Sequence, residues 1–128
     1  MEETAQNFFD ACESGKGWDG VKSYVQSQAS TFEAQVTDAL PGPKLSEVKT
    51  IHGYAEWMAG VVKAFGSKAT VDIKLKCCDE KNNTMVYYAV FGGVSDYVYT
   101  LHFDNESGKI DDMRKIWNDG YVAQHPIQ

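Results

Sequence analysis

Residues 108–119, which read GKIDDMRKIWND, place ionisable side chains among apolar ones. The apolar members suit a strand in the protein interior; they are Ile110, Met113, Ile116 and Trp117. The ionisable side chains that stand between these apolar residues are Asp111, Asp112, Arg114 and Lys115. In an apolar cavity a carboxylate can act as a general base, and a lysine can anchor an anion or act as a general acid or base. The chemistry available here therefore depends on which of the four charges points inward.

The preceding apolar segment, residues 95–104, decides which charge that is. Successive side chains of a strand point to opposite faces, and the favoured pairing keeps apolar residues opposite one another. In that register the cross-strand pairs are Leu101 with Met113, Tyr99 with Lys115, and Tyr97 with Trp117. A slip by one residue would instead put Asp112 and Arg114 among apolar side chains. We therefore predict that Lys115 is the one central charge on the inner face.

The outer face of the same two strands would then be mixed in character. Its members are Val98, Thr100, His102, Asp112, Arg114 and Ile116. We expect Asp112 to pair with Arg114 along the strand and with His102 across it. Charged pairs on an exposed sheet face are common and contribute little energy, so a structural role or a dimer contact is favoured over catalysis.

Lys115 is the candidate catalytic residue. Between Met113 and Trp117, its ammonium group either reaches the pocket mouth, pairs with a carboxylate, or loses its charge through desolvation. A paired or snorkelling structural lysine is the commoner case, because an unpaired buried ammonium group is very costly. The functional alternative is an anion anchor or a general acid or base in an apolar cavity.

Aromatic and apolar side chains would form the walls of that cavity. The candidate ligand-binding residues are Phe32, Tyr54, Trp57, Met58, Tyr88, Tyr99, Met113 and Trp117. Among other polar residues, Gln35 is expected on the wet side of its strand. Asp96 would reach Lys115 only if the strand ends curl inward. Asn118 and Asp119 are expected to cap the end of the sheet.

Three helices are predicted from apolar residues at helical spacing. In residues 2–13 the apolar face holds Ala5, Phe8, Phe9 and Cys12. A second helix is predicted over residues 18–28. The third is predicted to begin at a Ser46 cap and to run to Phe65 before Gly66, and its wide apolar stripe should close the core.

The remaining elements are predicted to be strands. Residues 31–37 alternate with a period of two, which indicates a half-buried strand. In residues 70–79 the apolar face is expected to hold Val71, Ile73, Leu75 and Cys77. Residues 84–93 and 95–104 are apolar on both faces, as central strands are. Because the turns between the last four strands are short, an antiparallel meander is predicted.

The order helix, helix, strand, helix and four strands indicates an α+β domain with helices on one face of a curved antiparallel sheet. The segments FFDACESGKGW, TFEAQ, YAEWM, SDYVYTLHFD and GKIDDMRKIWND follow one another in a familiar order and spacing. In them the chain resembles the nuclear transport factor 2-like superfamily, particularly its SnoaL-like branch, over nearly its whole length.

The resemblance implies that residues 1–128 form a single SnoaL-like domain with a cone-shaped fold, whose bent sheet wraps around a pocket. It also implies dimers, often formed through the outer sheet face. The resemblance further implies that related enzymes often carry an acidic residue on the pocket face of the final strand, paired with a histidine or another polar group. In this chain Lys115 stands at about that position, so the carboxylate that could act as a base is absent there.

Composition argues against several classes of function. The chain has 12 Lys and Arg residues against 18 Asp and Glu, a net charge of −6, and no basic cluster for nucleic acid. We expect a cytoplasmic protein without membrane contact, because no apolar stretch approaches the roughly 20 residues of a membrane span and the N-terminus is acidic and amphipathic. Cys12, Cys77 and Cys78 lack zinc-site spacing, and we expect no metal and no cofactor.

Two hypotheses follow. The first is a small homodimeric protein that binds an unidentified small organic molecule in an apolar aromatic pocket, with isomerase-, cyclase- or hydrolase-like chemistry assisted by Lys115. The second is a non-catalytic dimerisation or protein-interaction module that uses the outer sheet face, and the missing Asp–His pair motivates it. The sequence leaves open whether the protein is an enzyme.

Overall fold

A computed structural model describes residues 1–39, 42–117 and 124–125 of the chain. The helices are α1 (Glu2–Glu13), α2 (Gly17–Val21) and α3 (Ile51–Phe65). The strands are β1 (Thr31–Gln35), β2 (Val71–Asp79), β3 (Thr84–Phe91), β4 (Ser95–Phe103) and β5 (Ile110–Trp117). Short 3₁₀ turns cover Lys22–Tyr24, Leu45–Glu47, Gly66–Lys68 and Glu80–Asn82. The predicted order of helices and strands is confirmed, whereas Asn118 and Asp119 lie outside the described residues.

The first two helices differ in how well their lengths were predicted. In α1 the predicted apolar face is buried, with Ala5, Phe8, Phe9 and Cys12 at most 1% exposed. Helix α2 is shorter than predicted, because the chain turns at Lys22–Tyr24 and then approaches β5. Val25 forms a parallel bridge with Ile110, and the Gln26 amide donates to the Ile110 carbonyl at 2.8 Å.

Helix α3 begins four residues later than predicted. Thr50, not Ser46, is its N-cap, since the Thr50 hydroxyl accepts a hydrogen bond from the Gly53 amide at 3.0 Å. Ser46 lies in a 3₁₀ turn, where its hydroxyl donates to the Asp38 carboxylate. The predicted end at Gly66 is confirmed, and the positive φ of 58° at this residue reverses the chain.

The five strands form one mixed sheet in the order β1-β5-β4-β3-β2. Strands β2 to β5 are the predicted antiparallel meander. Strand β1 pairs in parallel with β5, with Phe32 opposite Met113. The helices cover the inner face, and the buried residues of α1, α3 and the sheet form a continuous core.

The predicted register between β4 and β5 is confirmed. The pairs are Leu101 with Met113, Tyr99 with Lys115, and Tyr97 with Trp117. On the outer face, His102 lies opposite Asp112 in the backbone register, but a shift in pairing brings its Nδ1 within 2.6 Å of Asp111 Oδ1. Asp112 contacts Arg114 at 3.4 Å, as predicted.

Strand β2 departs from the predicted alternation because of a β-bulge. The pairing with β3 shifts between Ile73 and Leu75, so that Lys74 has no partner in the register. Val71 and Ile73 pack against the core, as predicted. Leu75 was wrongly predicted to share their face; it lies opposite Tyr88 on the outer face and is 70% exposed.

Candidate functional site

Lys115 lies in the middle of the inner sheet face, because β5 is flanked by β1 and β4 and the alternation along β5 turns this side chain toward the helices. It is 2% exposed. Its Nζ atom lies 4.6–5.3 Å from five ring centres, those of Tyr54, Trp57, Tyr97, Tyr99 and Trp117. The electron-rich ring faces attract the ammonium group and compensate in part for its lost hydration.

A carboxylate lies one hydroxyl group away from this lysine. Lys115 Nζ donates to Tyr54 Oη at 2.9 Å, and Tyr54 Oη donates to Glu13 Oε2 at 2.8 Å. Tyr99 donates to the other oxygen of the same carboxylate, Glu13 Oε1. Since each tyrosine has one hydroxyl proton and both protons go to Glu13, the 3.2 Å contact between the two phenol oxygens carries no proton of its own. We name these four residues the Glu13 cluster.

Glu13 was not among the predicted site residues. It is the last residue of α1 and only 2% exposed. It follows Phe9 by four residues, which places it on the buried face of the helix. That spacing was visible in the sequence, but a glutamate at a helix end is usually solvated. Helix α1 therefore supplies the carboxylate that is missing from the inner face of β5.

Burial brings the pKa values of Glu13 and Lys115 closer together. It lowers the pKa of Lys115 to about 8, and the negative charge of Glu13 opposes that shift. It raises the pKa of Glu13, opposed by the charge of Lys115 and by the hydrogen bond from Tyr54. Burial and the Glu13 charge also raise the pKa of Tyr54. Because these two pKa values are closer than in water, the transfer of a proton between Lys115 and Glu13 requires less free energy than it would in water.

A surface cleft of about 220 Å³ opens onto this cluster. Its walls come from the C-terminal half of α1 and from the segment that enters β2. They are Phe9, Asp10, Glu13, Ser14, Ala69, Val71 and Ile73. Glu13 therefore belongs both to the cleft wall and to the hydrogen-bonded cluster behind it.

The predicted ligand-binding residues divide into two groups. Tyr54, Trp57, Tyr99 and Trp117 surround the Lys115 ammonium group, and Phe32 stacks on Tyr54 with ring centres 4.6 Å apart. Met58 and Met113 are buried in the core.

Tyr88 does not join this inner group. It lies on the outer face and donates to Asp96 Oδ1 at 3.0 Å, so Asp96 is not the partner of Lys115 either. Its neighbour Tyr87 occupies the inner face and stacks on Phe9 at 4.7 Å. Gln35 is exposed on β1, as predicted.

Two further observations concern the described residues alone. Within residues 1–39, 42–117 and 124–125, no three His, Cys, Asp or Glu side chains come together in a way that could hold a metal ion. None of the helices in that part of the chain has the length and apolar character needed to cross a membrane.

Comparison with known proteins identifies the fold through solved structures. No family model and no curated protein matches the sequence. IdmH from Streptomyces antibioticus, a candidate polyketide cyclase, superposes with a TM-score of 0.67 at 11% identity, covering 96% of this chain and 95% of its own. A SnoaL-like protein of unknown function from Burkholderia thailandensis gives 0.61 at 9% identity, over 91% and 92% of the two chains.

A nuclear transport factor 2-like protein of unknown function from Cytophaga hutchinsonii gives a TM-score of 0.59 at 12% identity, covering 95% of this chain and 93% of its own. The chain thus has the α+β cone fold of the nuclear transport factor 2-like superfamily, which SnoaL-like proteins share, as the sequence predicted. At these identities the similarity defines the fold alone, and the function has to be argued from the site.

Proposed function

We propose that this protein binds a small organic molecule in the cleft between α1 and β2, and that Glu13 exchanges a proton with it. One observation carries the proposal: Glu13 lines the cleft while its two carboxylate oxygens accept hydrogen bonds from Tyr54 and Tyr99. A carboxyl group that is buried, held in place and next to an opening is a candidate acid or base.

Lys115 acts behind Glu13 in this proposal. Its ammonium group is enclosed by aromatic rings and bonded to Tyr54, and it does not line the cleft. It tunes the acidity of Glu13 through the Tyr54 hydroxyl instead of touching the ligand. The catalytic role predicted for Lys115 thereby becomes a positioning and charge-balancing role, and Glu13 takes the role of proton acceptor.

The reaction step that suits this arrangement is proton abstraction next to a carbonyl group. The Glu13 carboxylate takes a proton from a C–H bond of the ligand, and the electron pair left on carbon delocalises into the carbonyl group. Glu13 becomes a neutral carboxylic acid, the form that burial favours. Return of the proton to the same carbon or to another one restores Glu13 and completes an exchange or an isomerisation.

Hydrogen–deuterium exchange in heavy water tests this step without knowledge of the substrate. A panel of small ketones, including aminoketones, is incubated with the wild type, with Glu13→Gln and with Glu3→Gln, a matched exposed glutamate at the start of α1. We expect wild type and Glu3→Gln to accelerate exchange in at least one compound, and Glu13→Gln to be slower by about a hundredfold. Equal rates for Glu13→Gln and wild type, or no accelerated exchange in any compound, contradict the proposal.

The outer sheet face favours a second function, association with another copy of the chain. The pairing register aligns one row of side chains across all five strands, from Leu75 through Tyr88, Val98 and Ile116 to Gln35. Leu75 and Ile116 are 70% and 51% exposed. A row with three aliphatic side chains can pack against its own two-fold copy, and burial of the two exposed ones, Leu75 and Ile116, would stabilise a homodimer.

A further inference from the structure

The cleft beside Glu13 has walls of two kinds. One side consists of the apolar residues Ala69, Val71 and Ile73, which precede the bulge of β2, and Phe9 adds an aromatic surface from α1. The polar side is formed by Asp10, Glu13 and Ser14. No lysine, arginine or histidine is among these wall residues. The cleft is therefore apolar on one side and negatively charged on the other.

Asp10 contributes a charge that no described residue neutralises through an ion pair. It is exposed, and its Oδ1 accepts a hydrogen bond from the neutral side-chain amide of Gln6 at 2.9 Å. In the described part of the chain no cation forms an ion pair with it. A ligand that enters the cleft thus meets an exposed aspartate in its wall.

The end of helix α1 adds to the negative potential. Asp10, Glu13 and Ser14 belong to its last turn and C-cap, where backbone carbonyl groups carry the negative end of the helix dipole. The last turn contains no basic residue that would offset it. The backbone and the side chains of α1 therefore favour a cation at the same place.

Lys115 does not cancel the negative charge of the cleft wall. Lys115 is 2% exposed, its ammonium group is linked to Glu13 through the Tyr54 hydroxyl, and it is not among the residues that line the cleft. It balances the charge of Glu13, whereas Asp10 has no ion-pair partner among the described residues and the last turn of α1 has no basic residue. An anionic ligand would face these groups without reaching Lys115.

We propose that the cleft selects ligands that carry a protonated amine on a small apolar body, with the amine directed to Asp10 and Glu13 and the apolar part against Val71 and Ile73. This inference rests on the proposed function and narrows its ligand class. The volume of about 220 Å³ lies below the roughly 300–1,000 Å³ of pockets for drug-sized molecules, so the body is a single ring or a short alkyl chain.

Three probes of matched shape test the inference: cyclohexylmethylamine, cyclohexylmethanol and cyclohexanecarboxylate. Binding is followed by the backbone amide NMR shifts of wall residues such as Phe9, Ser14 and Val71. We expect the amine to bind about tenfold more tightly than the alcohol, because its hydrogen bonds to carboxylates are charge-assisted, and the carboxylate to bind most weakly. Asp10→Asn should reduce the affinity for the amine and leave that for the alcohol unchanged. Asp19→Asn, an exposed control on α2, should change neither.

The possible results separate this inference from the proposed function. If the alcohol binds as tightly as the amine, or the carboxylate binds more tightly than either, the charge preference is wrong while the cleft remains a ligand site. An Asp10→Asn variant with undiminished amine affinity contradicts the charge preference as well. If none of the three probes shifts the amides of the wall residues, both the inference and the assignment of the cleft as a ligand site fail.

Discussion

The ammonium group of Lys115 and the carboxylate of Glu13 are joined through a single phenol. Tyr54 Oη accepts a hydrogen bond from the lysine at 2.9 Å and donates one to the glutamate at 2.8 Å. The two charges can therefore balance each other and exchange a proton without direct contact. Each of the two groups has a pKa that depends on the charge of the other.

The pH dependence of stability should reveal the buried lysine. Because burial lowers the pKa of Lys115 from 10.5 to about 8, the unfolded chain binds one more proton than the folded protein between these two pH values. The free energy of unfolding of the wild type should therefore rise with pH across this window, relative to Lys115→Met, by at most about 1.4 kcal/mol per pH unit.

Urea unfolding curves at a series of pH values measure this slope. Tyrosine residues ionise at high pH in both proteins, so the comparison with Lys115→Met removes their contribution. Lys109→Met, which changes an exposed lysine, should keep the slope of the wild type. A wild type and Lys115→Met with parallel pH profiles would show that the amine is not desolvated.

Removal of the Glu13 charge should make Lys115 a weaker base. The negative charge of Glu13 raises the pKa of Lys115 against the effect of burial, so Glu13→Gln should bring this pKa below about 8. An NMR titration with isotope-labelled lysine side chains measures it directly. Glu3→Gln should leave the titration unchanged, and an unaltered pKa of Lys115 in Glu13→Gln would mean that the two charges are not coupled.

Two neighbouring tyrosines on β4 should respond differently to loss of the hydroxyl group. Tyr99 donates to the buried Glu13 carboxylate, whereas the buried Tyr97 hydroxyl has no hydrogen-bond partner among the described residues. Tyr99→Phe should lower the free energy of unfolding by about 1–3 kcal/mol, because it leaves a carboxylate oxygen unpaired. Tyr97→Phe should be neutral or stabilising by up to about 1 kcal/mol. Chemical denaturation measures both, and equal losses would contradict the assignment of Tyr99 as the donor.

The turn after α1 depends on a glycine. Gly15 has a φ of +81°, and a Cβ atom there would lie 2.7 Å from Val62 Cβ. Gly15→Ala should therefore destabilise the protein by at least about 1–2 kcal/mol. Gly60→Ala is the contrasting variant: the site lies inside α3 with no heavy atom within 4 Å of the added Cβ, and it should gain about 0.5–1 kcal/mol. Melting temperatures that move in the same direction would contradict this account.

The proposed dimer can be disrupted without touching the cleft. Ile116→Glu places a charge in the row of side chains on the outer face, next to Val98. Sedimentation velocity should show a dimer for the wild type and a monomer for Ile116→Glu, because burial of the introduced carboxylate is costly. Lys63→Glu, on the exposed side of α3, should remain dimeric. A monomeric wild type at micromolar concentration would contradict the dimer.

The sequence carried enough information to place Lys115 but not to identify its partner. Residue alternation and the pairing of apolar side chains fixed the register of β4 and β5, which is a local property of two adjacent strands. Glu13 comes from a helix far away in the chain, and no pattern within α1 indicates which strand residue it will meet. Contacts of that kind depend on how the helix docks on the sheet.

The two faces of β3 were equally hard to assign. Residues 84–91 are apolar in both alternating sets, so periodicity alone could not distinguish Tyr87 from Tyr88. The bulge in β2 was also invisible, because Ile73, Lys74 and Leu75 alternate regularly in sequence. Both features are decided by pairing with neighbouring strands.

That bulge has a consequence for aggregation. Strand β2 forms one open edge of the sheet, where unpaired backbone groups could recruit a strand from another molecule and start fibrous assembly. The interruption at Lys74 breaks the regular spacing of those groups, and the charges of Asp72, Lys74 and Lys76 would have to be desolvated by any strand added there. The β-bulge that places Leu75 on the outer face thus also hinders the addition of strands from other molecules at this edge.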